Sequence, residues 1–299
     1  MGILSKVSWK AYRLFASLLR DRRLLNYQVG GRSVRGQLTN ISWRLLHRTI
    51  PNPMLVYDHK IYHHAQPASA VAMASESYEP ETTRLLLNFL KARQTFIDVG
   101  AHIGYFTLLA ARAVEPTGRV YAFEPAPANR DLLLRNIRVN GYNAIVTVVP
   151  KVVCDRSGAV SLFLSKEDSG SNSILPSPLV GTDSVSVEAT TLDEFFEGEG
   201  WPPVHLIKMD IEGAEKAALK GMRELSRRNP QLRLVIEFFP QNLQVAKVSP
   251  EELFQALRVL GFTRIAVISR SLVPVETPQD IFDRIPKASR FYVNLLCQK

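Results

Sequence analysis

The sequence predicts an α/β fold, a doubly wound sheet with helices on both faces, and two observations carry that expectation. The first is the stretch from Thr95 to Pro125, which reads as strand, glycine turn, helix, strand and then an acid. The second is that short apolar runs recur at Ile145 to Val149, His205 to Asp210 and Leu232 to Phe238, with helical stretches between them. Strands that alternate with helices build parallel sheets, because a crossover helix is what returns the chain to the same edge.

Each element has its own local reason. Phe96 to Val99 is a short apolar strand, Gly100 and Gly104 bracket a tight turn, and Ile103 to Arg112 has the apolar density of a buried helix. Val120 to Phe123 is the second strand, with Glu124 at its end. Asn129 to Val139 reads as a helix closed by Asn140-Gly141. Between Val160 and Val187, alternating runs flank the Ser/Gly/Pro-rich stretch DSGSNSILPSP, which predicts a hairpin insertion carrying a mobile loop near the active site. Thr191 to Glu194 is a capping box, and Ala214 to Lys220 is a helix stopped by Gly221. Ser249-Pro250-Glu251-Glu252 opens another helix that ends at Gly261, and Arg264 to Ser269 and Arg290 to Leu296 read as an antiparallel tail of the sheet.

The chemistry lies in the first unit. A glycine at position 100 lets backbone approach a ligand, the helix after it presents free N–H groups to a carboxylate or phosphate, and an acid some twenty residues on can take both ribose hydroxyls. Gly100-Ala101-His102-Ile103-Gly104 lacks the middle glycine that admits a pyrophosphate. Asp98 would also repel a diphosphate, whereas it can attract the ammonium or sulfonium of S-adenosylmethionine. The expected cofactor-binding residues are therefore Asp98, Gly100, Gly104 and Glu124.

The runs DVGAHIGYFTLLAAR, FEP, TTLDEFF, IKMDIEGAE and VIEF, in that order from about Tyr78 to the C-terminus, resemble the FkbM family of S-adenosylmethionine-dependent methyltransferases. The resemblance implies a Rossmann-like class I methyltransferase sheet and O-methylation of a hydroxyl on a sugar, glycolipid or secondary metabolite. His102 stands where the family pattern has Asn. By analogy Asp155 reaches the adenine amino group, with a turn-forming role before Ser157-Gly158 as its bland alternative. In the order of such a sheet, Asp98, Asp210 and Glu237 end neighbouring strands, with Glu212 just beyond. Asp210 or Glu212 is then the candidate general base or acceptor-orienting group, with Glu237 beside them. The alternative for Asp210 is a cofactor or helix-capping role. Lys208, mid-strand among apolar residues, is expected to pair with one of these acids. The same oxygen-only set suits a divalent cation such as Mg²⁺ or Ca²⁺, a reading ranked below the metal-free one.

The resemblance implies a methyltransferase domain over residues 78–299, and the charge distribution marks residues 1–77 before it as a basic N-terminal extension. Residues 1–60 hold eleven Lys and Arg against Asp21 and Asp58, which is the whole formal net charge of +9. A nucleic-acid methyltransferase using that basic arm is one alternative; the N-P-P-Y type base-methylation motif is absent. A membrane-associated protein that binds the cofactor without catalysis is another, disfavoured by the intact Gly100, Glu124 and Asp210 set. Residues 1–20 have an apolar stripe at helical spacing, Trp9 and a basic face, the pattern of an interfacial helix at the inner face of a membrane or of a helix packed on protein. The apolar run LFASLL is too short to span a bilayer. Cys154 and Cys297 lack metal or redox spacing, and His59, His63 and His64 lack a fourth ligand, so a cytoplasmic, metal-free protein with buried thiols is the expectation.

Overall fold

The computed structural model describes residues 28–29, 32–33, 50–64, 67–166, 168–176, 180, 182–284 and 292–299. The helix expected over residues 1–20, and with it the membrane contact, lies outside the described residues, as does the expected strand start at Arg290. No helix among the described residues is long and apolar enough to cross a membrane.

The chain forms two compact units, Met1–Pro80 and Glu81–Lys299. Within the first, Gln28–Val29 (β1) pairs with Arg32–Ser33 (β2), and Met54–Val56 (β3) with His59–Ile61 (β4). Tyr57 and Asp58 at the second turn both have positive φ, as a two-residue hairpin turn matched to strand twist requires. Pro67–Ala74 forms helix α1.

The second unit opens with α2 (Pro80–Phe89) and is built on an eight-stranded sheet. Its strands are Thr95–Val99 (β5), Arg119–Phe123 (β6), Val146–Val149 (β7), Leu206–Met209 (β11), Arg233–Phe238 (β12), Arg264–Ile268 (β13), Leu272–Val275 (β14) and Val293–Gln298 (β15). Their spatial order is β14-β13-β15-β12-β11-β5-β6-β7. The five strands from β7 to β12 are parallel, and β15 enters antiparallel between β12 and β13. The strand order reverses between β5 and β11, so the carboxyl ends of β5, β6 and β11 form the switch point at which such sheets bind ligands. This is a Rossmann-like class I methyltransferase sheet. The sequence pattern misses β14, whose Leu272 to Val275 run contains a proline and faces largely outward on the sheet edge.

Alternate residues of each central strand face opposite helical layers, which is why the strands read as unbroken apolar runs. Ile97, Val99, Ile207, Met209, Leu234 and Ile236 pack beneath α5 (Leu192–Gly198), α6 (Glu215–Lys220), α7 (Arg223–Arg228), α8 (Pro240–Val245) and α9 (Pro250–Val259). On the other face, α3 (Tyr105–Val114) covers Asp98 and Lys208, and α4 (Pro127–Val139) follows β6. Thr191 accepts from Glu194 N at 2.9 Å, the N-cap half of the expected capping box, while the Glu194 carboxylate takes Ser157 Oγ instead of closing it; Ser249 with Glu252 forms the full reciprocal box. Helix α10 (Pro278–Arg284) lies between β14 and β15.

A separate three-stranded sheet follows β7: Lys151–Val153 (β8), Gly158–Phe163 (β9) and Ser184–Thr190 (β10), in the order β8-β10-β9. The antiparallel β9–β10 pair is the expected hairpin insertion. Cys154 and Cys297 are free and buried.

Candidate active site

A cavity opens across the carboxyl ends of β5, β6 and β11. Val99, Phe123, Val152, Val153 and Leu162 give it apolar walls, while Glu124 and Asn129 at one end and Asp210 and Glu212 at the other supply the polar groups. Of the residues expected to make the site, Gly100, Glu124, Asp210 and Glu212 line this cavity.

Gly100 has φ +86, and a Cβ there would lie 2.0 Å from the carbonyl oxygen of Asp210. The glycine therefore lets the β5–α3 turn lie against the end of β11, a different physical reason from the ligand approach expected from sequence. The turn is held on its other side by Gly100 N and Ala101 N, which both donate to Phe123 O, at 3.1 and 3.0 Å.

Glu124 is 5% exposed. Its Oε2 accepts from His102 N at 2.8 Å, and its Oε1 from Ala126 N at 2.9 Å and Asn129 Nδ2 at 3.4 Å. Burial pushes its carboxyl up to about 7, against those hydrogen bonds, which favour the charged form. The carboxylate is thus fixed in direction, with lone pairs left for a donor in the cavity.

The loop after β9 closes the cavity. Ser169, Gly170, Asn172 and Ser173 line it. Asn129 Nδ2 donates to Ser169 O at 2.9 Å, and the His102 ring Nε2 lies 2.8 Å from Ser169 Oγ. His102, at the family's Asn position, has φ +51 and joins the β5–α3 turn to this loop through its ring and to Glu124 through its backbone. The loop's composition marked it as near the site. Its individual contacts, like that of Asn129, join residues 40 to 67 positions apart, and nothing in local sequence fixes such pairs.

Four expected residues lie off the cavity wall. Asp98 is buried under α3, where Thr107 Oγ1 donates to its Oδ2 at 2.6 Å. Burial raises its carboxyl above the usual range and Lys208 draws it back. Gly104 starts α3, and a Cβ on it would lie 2.6 Å from Leu133 of α4, so its smallness serves helix packing. Asp155 is on the surface and pairs with Arg156 at 3.3 Å; Val152, Val153 and Leu162 stand at that end of the cavity instead. Glu237 ends β12 one strand over from Asp210.

Asp210, Glu212, Glu215 and Glu237 form one electrostatic group. Lys208 Nζ pairs with Asp210 Oδ2 at 2.8 Å and lies 4.7 Å from the centre of the Phe106 ring, which meets the expectation of an ion pair in the strand. Burial, then Asp210, pushes Glu212 up to about 8. Burial, Asp210 and Glu212 together raise Glu237 well above its ordinary range. Glu215 is a structural acid that the sequence reading missed. Its Oε1 accepts from Ile211 N at 3.0 Å and Gly213 N at 3.3 Å, and burial raises it to about 7. Among the described residues, no group of three or more His, Cys, Asp or Glu is arranged to hold a metal ion.

The chain is 33% identical over 152 residues to hexuronic acid methyltransferase AglP of Haloferax volcanii, an alignment covering 48% of this chain and 56% of that protein. It is 26% identical over 163 residues to methyltransferase sdnD of Sordaria araneosa, covering 45% and 62% respectively. The chain thus spans roughly three fifths of the length of these curated relatives. The crystal structure of methyltransferase FkbM from Methylobacillus flagellatus KT aligns with a TM-score of 0.44 and 17% identity, over 87% of this chain and 59% of that one. Residues 98–263, more than half of the chain, match the methyltransferase FkbM domain, and the protein belongs to the FkbM methyltransferase family.

Proposed function

We propose that the protein transfers a methyl group from S-adenosylmethionine to a hydroxyl of a sugar, glycolipid or secondary metabolite, with the cofactor in the cavity between Glu124 and Asp210. The observation that carries this reading is one cavity with an oriented carboxylate at one end and a set of carboxylates short of positive charge at the other. The donor set fits the cofactor. Glu124 suits a pair of ribose hydroxyls, the apolar side chains at Val152, Val153 and Leu162 suit an adenine ring, and the acids suit a sulfonium. When bound, S-adenosylmethionine supplies an activated methyl group, so the chain's own work is to align the acceptor and remove its proton.

Glu212 is the best-placed base, because a carboxylate raised toward the working pH is a stronger proton acceptor than an ordinary one. Asp210, neutralised by Lys208, orients the acceptor hydroxyl, and Glu237, off the cavity wall, acts on both through its charge. The likeness to a hexuronic acid methyltransferase supports a sugar as the acceptor class.

The test uses S-adenosylmethionine with a labelled methyl group and methyl β-D-glucuronide beside neutral methyl hexosides. Transfer is expected to rise with pH through about 8, since Glu212 must be ionised to act. Glu212→Gln is expected to lower turnover about 100-fold or more while S-adenosylhomocysteine affinity changes about twofold or less. Wild-type turnover in that variant removes Glu212 from the chemistry. Activity lost to a chelator and restored by Mg²⁺ or Ca²⁺ reassigns Asp210, Glu212 and Glu237 to a cation.

A further inference from the structure

The segment joining β11 to α6 carries backbone strain at its most chemically interesting residue. Glu212 has φ +54, a region that a non-glycine residue occupies only when its surroundings hold it there. Three groups do so. Glu215 takes the N–H groups on either side of Glu212. Ser173 Oγ, from the loop over the cavity, donates to Glu212 O at 2.9 Å. Asn242, 9% exposed in the first turn of α8, donates from Nδ2 to Glu212 Oε2 at 2.7 Å. Glu215 and Ser173 fix the backbone, so Asn242 alone of the three sets the direction of the carboxylate. Among the described residues the second oxygen, Oε1, accepts no hydrogen bond, and Glu212 lines the cavity.

We propose that Asn242 is a positioning residue for methyl transfer: its amide holds Oε2 of Glu212 and leaves Oε1 facing the cavity to accept the proton of the acceptor hydroxyl. The inference rests on the reading of Glu212 as base. In the step, the hydroxyl oxygen forms its bond to the methyl carbon as the methyl–sulfur bond breaks. The hydroxyl proton passes to Oε1, and the sulfonium leaves as the neutral thioether. An amide serves here where an acid would not, because its N–H₂ favours the ionised carboxylate. The other charged groups acting on Glu212 are Asp210, Glu215 and Asp168, with Glu237 coupled to the same set and Lys208 behind Asp210. All but Lys208 are acids that oppose its ionisation, so the Asn242 hydrogen bond is the one specific contact working the other way.

Two variants and two readouts test this. Asn242→Ala removes the donor, and Asn242→Asp keeps the shape but puts another acid against Glu212. In wild type and both variants, the Glu212 carboxyl is titrated by carbon NMR on glutamate-labelled protein, its signal assigned by its absence from Glu212→Gln. Methyl transfer to methyl β-D-glucuronide is followed over the same pH range, and S-adenosylhomocysteine binding by calorimetry. The expected result is a titration and a rising activity limb displaced together to higher pH, further in Asn242→Asp than in Asn242→Ala. Turnover at pH 7 falls about 10-fold or more and recovers on the alkaline side of the limb, with S-adenosylhomocysteine affinity within about twofold. Turnover that falls equally at every pH, with the titration and the limb where they were, makes Asn242 an ordinary packing residue and overturns the proposal while Glu212 stands. A Glu212→Gln enzyme as active as wild type, or a wild type that methylates no glycoside tested, overturns the reading of the base or of the acceptor, and the inference with it.

Discussion

Replacing Gly100 with alanine is expected to destabilise the protein by about 3 kcal/mol or more and to abolish cofactor binding together. A left-handed backbone costs an alanine roughly 1–2 kcal/mol. The methyl carbon would then stand 2.0 Å from Asp210 O, 3.1 Å from Asp210 C and 3.3 Å from Ile211 Cγ2. Overpacking of that kind typically costs a further ~1–3 kcal/mol. The two nearest contact atoms are backbone, and Asp210 N is itself tied to Val99 O at 3.0 Å, so relief requires the ends of β5 and β11 to part. That movement carries Asp210 and Glu212 away from Glu124. Gly141 is the control: its φ is +78 but nothing lies within 4 Å of an added Cβ, so Gly141→Ala should cost only the backbone term, about 1–2 kcal/mol, and leave binding intact. Thermal unfolding and S-adenosylhomocysteine calorimetry on the two variants check this, and equal stability in both would show that the Gly100 contact relaxes cheaply.

Lys208→Met should be of similar size for an electrostatic reason. The ammonium is 3% exposed, pairs with Asp210 and offsets the burial of Asp98. Asp210 is 21% exposed at the cavity, but Asp98 is buried and would lose its nearby cation; leaving a buried charge uncompensated costs about 3–5 kcal/mol. A chain of this size would then lose on the order of 10 °C in unfolding temperature. The sign of the pH dependence follows from Asp98, whose carboxyl is already raised in the folded state and rises further without Lys208. A carboxyl raised on folding stabilises below its unfolded value and loses that contribution as pH climbs through the folded one. The variant should therefore be closest to wild type in acid and fall further behind as pH rises. A variant as stable as wild type at pH 8 would mean that Asp98 and Asp210 are compensated by some other group.

The parts of the fold legible in the sequence are those specified locally. Strands β5, β6 and β11 announce themselves as apolar runs ended by glycine or acid, β12 as an apolar run stopped at Phe239-Pro240, and the caps at Thr191 and Ser249 rest on residues three positions apart. The acids Glu124, Asp210 and Glu212 were legible because strand ends at a switch point converge whatever the details. Asn242, Ser173 and Glu215 were not. An asparagine after Phe239-Pro240 looks like any helix start, and only the crossing of α8 over the β11–α6 segment, thirty residues away in sequence, brings it to Glu212. Asp98 shows the converse limit. Its place on the strand was right, but the pleat turns its side chain toward Thr107 and the α3 face, and the cavity lies beyond Gly100 at the strand end.

The central claim is that the ribose of the cofactor lies on Glu124, and a binding cycle measured at pH 8, where that carboxyl is mostly ionised, tests it most directly. S-adenosylhomocysteine and its 2′-deoxy analogue are titrated calorimetrically into wild type and Glu124→Ala. Because Glu124 also holds His102 N and Ala126 N, the alanine variant binds both ligands more weakly for reasons unrelated to ribose, and only the difference between ligands is diagnostic. The predicted result is a preference of about 1.5–3 kcal/mol for the hydroxylated ligand in wild type that disappears in Glu124→Ala. A preference that survives the substitution undiminished would contradict the placement of the cofactor.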